Sequence, residues 1–161
     1  MLRAADKGDM ASRVDFYHLT RDPAPVVVAR LAERVQAGGD RLLVVAAERE
    51  TREALDAALW TAIPESFLPH VPADQSVGDL SDEPIIIVAS MKDGAANGAT
   101  MVAVADGQWR DDALGFVRTF FLFDGQGIDD ARSAWRVLSK RDDVDCHYWR
   151  QDEGGRWREG P

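Results

Sequence analysis

Leu42-Leu43-Val44-Val45 is a continuous apolar run with no alternation between faces, the pattern of a strand covered by protein on both sides. Helical spacing brackets it. Upstream, Val27, Val28, Leu31, Ala32 and Val35 share one face of a helix expected over Val26–Gln36. Gly38-Gly39 ends that helix, because glycine accepts the left-handed conformation of a C-terminal cap. Downstream, a helix over Arg49–Trp60 places Ala54, Leu55, Ala58 and Leu59 on its inner face. Further out, Val14-Asp15-Phe16-Tyr17-His18-Leu19 reads as a first strand. Thr20–Pro23 is a stop and turn, and Pro25 fits the first turn of the next helix.

Thr61–Pro84 contains Pro64, Pro69, Pro72 and Pro84 with little periodicity and reads as an ordered loop. Pro84-Ile85-Ile86-Ile87-Val88 is the strongest β signal in the chain. Met91–Thr100 is rich in Gly, Ala and Asn and too short for a crossover helix. The strand Met101–Ala105 is therefore expected to pair beside it as a hairpin. Asp111–Val117 reads as a short helix leading into the apolar run Thr119–Phe123. After the turn Asp124–Gly127, Asp129 is the expected N-cap of a helix reaching Ser139, and Cys146–Arg150 closes the sheet. This alternation predicts a three-layer α/β/α domain around a mainly parallel sheet, occupying residues 13–158. Residues 1–12 are polar and aperiodic and read as a frayed or non-native extension, with Met10 a candidate start.

Composition narrows the function classes. In 161 residues, 45% are hydrophobic and 29% charged, as in a folded soluble domain rather than a disordered chain. No apolar run approaches the roughly 20 residues of a membrane span. The single Cys146 allows no internal disulfide, in keeping with a cytoplasmic location. A net charge of −9 argues against direct nucleic-acid binding, which draws on a basic face. Yet between Ala131 and Arg158 the basic residues Arg132, Arg136, Lys140, Arg141, Arg150, Arg156 and Arg158 outnumber five acids. That segment carries +2 and leaves −11 for the rest. It also holds Trp135, Trp149 and Trp157, three of the five tryptophans.

Signatures of catalysis are weak. The turn after the first strand has no glycine, and its prolines remove N–H groups that a phosphate would need. No GxxxxGK[ST] occurs. Cys146 and His147 are adjacent and point to opposite faces of a strand, so adjacency makes them neither a metal site nor an activated pair. The acid pairs Asp111-Asp112 and Asp129-Asp130 stand at expected helix N-termini, where they need no catalytic explanation. No cofactor, metal site or catalytic residue is assigned. The alternative function is a small α/β nucleotide-dependent enzyme, supported only by analogy of fold.

The last helix carries the one constellation that suggests recognition. Arg132, Trp135, Arg136 and Lys140 fall at i, i+3, i+4 and i+8, on one face, with Ala131, Ala134, Val137 and Leu138 expected on the buried side. Arginine offers a bidentate fork to carboxylates, and an indole offers apolar area at low entropic cost. Such a stripe suits single-stranded nucleic acid, or an acidic peptide ending in an aromatic residue and a free carboxylate. The same spacing also fits a Trp135 that serves the core beside solvated arginines.

Phe16-Tyr17-His18-Leu19, Leu55-Asp56-Ala57-Ala58-Leu59-Trp60, Glu65-Ser66-Phe67-Leu68-Pro69-His70, Pro84–Val88 and the last helix together resemble the chi subunit of bacterial DNA polymerase III, over about Val14 to Trp157. The resemblance implies a Rossmann-like fold without a phosphate-binding loop, and a non-catalytic accessory of the clamp-loader assembly. It further implies binding of the acidic C-terminal tail of single-stranded-DNA-binding protein, with DNA met only indirectly. By the same resemblance Arg132, Trp135 and Arg136 fall in the tail site. A family lysine aligns near Ile128, where Lys140 or Arg141 would have to substitute, and Phe67 matches an apolar position used toward the psi subunit.

Overall fold

The computed structural model describes residues 11–64, 68–76 and 78–160. Eight strands form one sheet in the order β3-β4-β2-β5-β6-β1-β7-β8. They are β1 (Ser12–His18), β2 (Leu42–Val45), β3 (Val71–Pro72), β4 (Ile85–Val88), β5 (Met101–Val104), β6 (Arg118–Phe123), β7 (Val144–Gln151) and β8 (Trp157–Glu159). All pairings are parallel except β7 with β8. The helices are α1 (Ala24–Ala37), α2 (Arg49–Thr61) and α3 (Ile128–Leu138). The architecture is α/β with a mainly parallel sheet, as the alternation of elements predicts.

Two cores lie on opposite faces of the sheet. On one face, Val27, Val28, Leu31 and Ala32 of α1 and Leu55 and Leu59 of α2 pack on Leu42, Val44, Ile85, Ile87 and Leu122. On the other, Ala131, Ala134 and Leu138 of α3 pack with Val14, Phe16, Leu43, Val45, Val102 and Phe121. Alternate side chains of a strand point to opposite faces, so a strand covered on both sides must be apolar throughout. Leu42–Val45 meets that requirement with every residue buried.

The expected hairpin between β4 and β5 does not form. Both strands pair parallel to β2, one on each side, so residues 89–100 cross the sheet without a helix. Met91 and Ala99 bury that crossing in the second core. Asn97, fully buried, supplies polar satisfaction: its Nδ2 donates to the carbonyls of Glu83 and Leu42, and its Oδ1 accepts from the Ala99 amide. One polar side chain here replaces part of the hydrogen bonding that a crossover helix would supply internally.

Five local expectations also shift. Asp111–Gly115 is a 3-10 turn rather than an α-helix. The N-cap of α3 is Gly127, with Asp129 and Asp130 inside its first turn. Asp124 closes the preceding turn, accepting from the Gln126 amide at its side chain and from the Gly127 amide at its carbonyl, so the helix begins early. Val137, expected inside, is 64% exposed, because the buried face of α3 is the narrower set Ala131, Ala134 and Leu138. The closing strand continues into β8 through the turn after Gln151, where Asp152 Oδ1 accepts from the amides of Gly154 and Arg156. Ser12 belongs to β1, its amide donating to the Asp143 carbonyl at 3.0 Å; residues 1–10 lie outside the described residues.

Candidate peptide-binding groove

The sheet brings β1 and β7 together in parallel register, with Phe16 opposite Tyr148 and His18 opposite Arg150. These four side chains share the face covered by α3. Together with the helix they enclose a groove of about 830 Å³, lined by Phe16, His18, Tyr148 and Arg150 from the sheet and by Arg132, Trp135 and Arg136 from α3. The helix begins at Ile128, which also lines the groove.

Trp135 is half-buried, its ring edge-on to Phe16 at 5.1 Å and to Tyr148 at 6.3 Å between centroids. It therefore does both things the spacing allows: one part of the indole packs on the second core, and another faces the groove. Edge-to-face packing of this kind fixes an aromatic side chain in place, so a ligand pays less entropy to use it. Arg132 and Arg136 are exposed beside it. Arg136 donates to Ser133 Oγ at 3.4 Å, one turn back along α3.

His18 stacks on Phe123, with ring centroids 5.0 Å apart, and its Nδ1 is hydrogen-bonded to the Tyr148 hydroxyl at 2.8 Å. Burial lowers the basicity of His18, the cations Arg150 and Arg132 lower it further, and Asp124 opposes them. That pattern means two guanidinium groups from different elements act on one imidazole. Cys146, on the same strand face, is held as a thiol: burial, then the charges of Asp145 and Asp15, push it up to about 11. A thiol so raised is a poor nucleophile.

The other predicted positions fall elsewhere. Lys140 and Arg141 follow α3 and do not line the groove; Arg141 is paired with Asp143 at 2.7 Å. Phe67, assigned toward psi, lies outside the described residues. Sequence reasoning missed Arg150, Tyr148 and His18. Arg150 counted toward the basic segment, but only the β1–β7 register carries it to α3.

A second concavity opens at the carboxyl ends of β1, β5 and β6, where doubly wound folds seat nucleotides. It is lined by Asp106, Asp124 and Asp130 together with Leu19, Gly107 and Gly127. Asp106 accepts two hydrogen bonds from Arg110, at 2.8 and 2.9 Å, and one from the Ala47 amide at 2.9 Å. Burial alone would raise its carboxyl, but these bonds outweigh it and hold Asp106 ionised at lower pH. The loops meet closely here: a Cβ on Gly127 would stand 3.2 Å from the Gly107 carbonyl oxygen. The neighbouring α1 begins after Pro23 with Pro25 in its first turn, which subtracts N–H donors from an anion site.

Comparison with known proteins adds two findings, and no curated protein matches the chain. The C-terminal domain of the DEAD-box protein Dbp5 is similar at 13% identity, with a TM-score of 0.55 over 87% of this chain and 91% of that one. At that identity the likeness is one of fold, and it agrees with a Rossmann-like sheet. The family described as DNA polymerase III chi subunit, HolC, matches residues 11–144, which span the sheet from β1 through α3 to the start of β7. The chain belongs to the DNA polymerase III chi subunit family, and by that membership is an accessory subunit of this polymerase.

Proposed function

We propose that this chain is a non-catalytic adaptor of the clamp-loader assembly that holds the acidic C-terminal tail of single-stranded-DNA-binding protein in the groove between α3 and β1–β7. The observation that carries the reading is the convergence of Arg132, Arg136 and Arg150 around the half-buried Trp135. Acidic side chains and a terminal carboxylate match the guanidinium forks, and an apolar terminal side chain matches the aromatic wall of Trp135 and Tyr148. A short tail docks locally without meeting the acidic remainder of the chain, whereas a long polyanion such as DNA would meet it. In this reading the chain works in the cytoplasm, reaches DNA only through its partner, and uses no cofactor. Its second partner is the psi subunit or another clamp-loader component, engaged through Phe67, which follows the 48%-exposed Trp60 at the end of α2.

The test is titration of the protein into a labelled acidic peptide that ends in phenylalanine with a free carboxylate. Binding should weaken with added salt, because the exposed charge pairs are screened. The double variant Trp135→Ala, Arg136→Ala should lower affinity about tenfold or more, as expected when an aromatic anchor and a charged hydrogen bond are both lost. Undiminished binding by that variant contradicts the site.

A further inference from the structure

The groove contains one group whose charge changes near neutral pH, and it sits on the floor. His18 ends β1, stacks on Phe123 of β6 and shares a hydrogen bond with Tyr148 of β7. The charged and titratable groups around it come from three elements. Arg150 and Tyr148 approach from β7, Arg132 and Asp129 from α3, and Asp124 from the turn between β6 and α3.

We propose that His18 is a further ligand-binding residue of this groove, taking up a proton when an anionic peptide terminus seats beside Arg132 and Arg150. The proposal rests on the reading of the groove as a peptide site, and assigns to that site a proton-linked grip.

Three features support it. First, the groove's own groups oppose the imidazolium, through partial burial and the two guanidinium groups. A carboxylate that neutralises those cations removes the opposition and adds an attraction of its own. Second, the bond to Tyr148 survives the change of state. A phenol can donate to a neutral Nδ1 or accept from a protonated one, so proton uptake needs no rearrangement of the floor. Third, the stack on Phe123 fixes the ring plane, so the second nitrogen is held in position rather than free to turn away. By linkage, a ligand that raises the proton affinity of His18 is itself bound more tightly when His18 is protonated. Affinity therefore rises as pH falls through the histidine range, by up to about tenfold for each pKa unit by which bound exceeds free.

The experiment measures the affinity of an N-acetylated acidic peptide ending in phenylalanine at about pH 8 and about pH 6, at constant ionic strength, while the His18 imidazole is titrated by NMR. The peptide's own carboxylates titrate near 4 and stay ionised across this window. The expected result is tighter binding at the lower pH, with the His18 titration moved upward in the presence of peptide. His18→Gln should flatten the pH dependence, whatever its absolute affinity. His147→Gln should keep the slope, because His147 lies on the opposite strand face between Asp145 and Glu159. A pH-independent affinity, an unmoved His18 titration, or an unchanged slope in His18→Gln overturns the proton-linked role while leaving the peptide site intact. Absence of binding at either pH overturns both.

Discussion

Two concavities share the β6–α3 connection, and Phe123 lines both. The one at the strand ends is acidic, through Asp106, Asp124 and Asp130, and occupies the place where sheets of this type usually take phosphate. The other, beside α3, collects Arg132, Arg136 and Arg150 around Trp135. The difference separates architecture from function. Topology puts a crevice at the strand ends, but the side chains decide which concavity attracts an anion. Here the crevice that the fold would nominate is lined by carboxylates, and the guanidinium groups gather instead on the flank of the sheet.

The largest effect expected from breaking this contrast belongs to Phe16. It is fully buried and touches Trp135 at 5.1 Å and Phe121 at 5.5 Å between ring centroids. Phe16→Ala should cost about 3–5 kcal/mol in denaturant unfolding. It should also weaken peptide binding in the folded fraction, because the ring supports the indole from below. Next comes Arg150→Glu, which reverses a charge on the groove floor without touching the core. Loss of a charged hydrogen bond is worth about 1.5–3 kcal/mol, so the dissociation constant should rise at least tenfold while the midpoint of unfolding stays near that of the parent.

The smallest effect belongs to the crevice. Asp106→Asn removes the ion pair with Arg110 and should cost about 1–2 kcal/mol of stability with no change in peptide affinity. Its pH signature has a definite sign. Because the folded-state carboxyl of Asp106 is lowered, its contribution is present above the unfolded value of about 3.9 and is lost as pH falls through the folded value. Acid titration of the variant should therefore show a shallower loss of stability over that range.

Much of this contrast was legible one element at a time. Arg132, Trp135 and Arg136 are local, their shared face set by helical spacing, and the structure places all three at the groove. His18, Tyr148 and Arg150 were illegible as partners, because the bond between His18 and Tyr148 joins residues 130 positions apart. It depends on β1 lying between β6 and β7, and strand order is a long-range property that periodicity does not carry. The same limit explains β5. A short connection ordinarily signals a hairpin, but a buried Asn97 and two buried apolar residues let this one cross β2 as a loop. Val137 was misread for a smaller reason: apolar character alone does not put a side chain inside, and the buried residues of α3 are only Ala131, Ala134 and Leu138.

The most direct measurement is the backbone amide spectrum of the isotope-labelled protein during titration with the acidic, phenylalanine-terminated peptide. Binding in the groove predicts shifts confined to α3, the end of β1 and the second half of β7, with the Trp135 indole N–H among those that move most. Shifts that centre instead on the loops around Asp106 and Asp124, or on the helices α1 and α2, would contradict the assignment of the site.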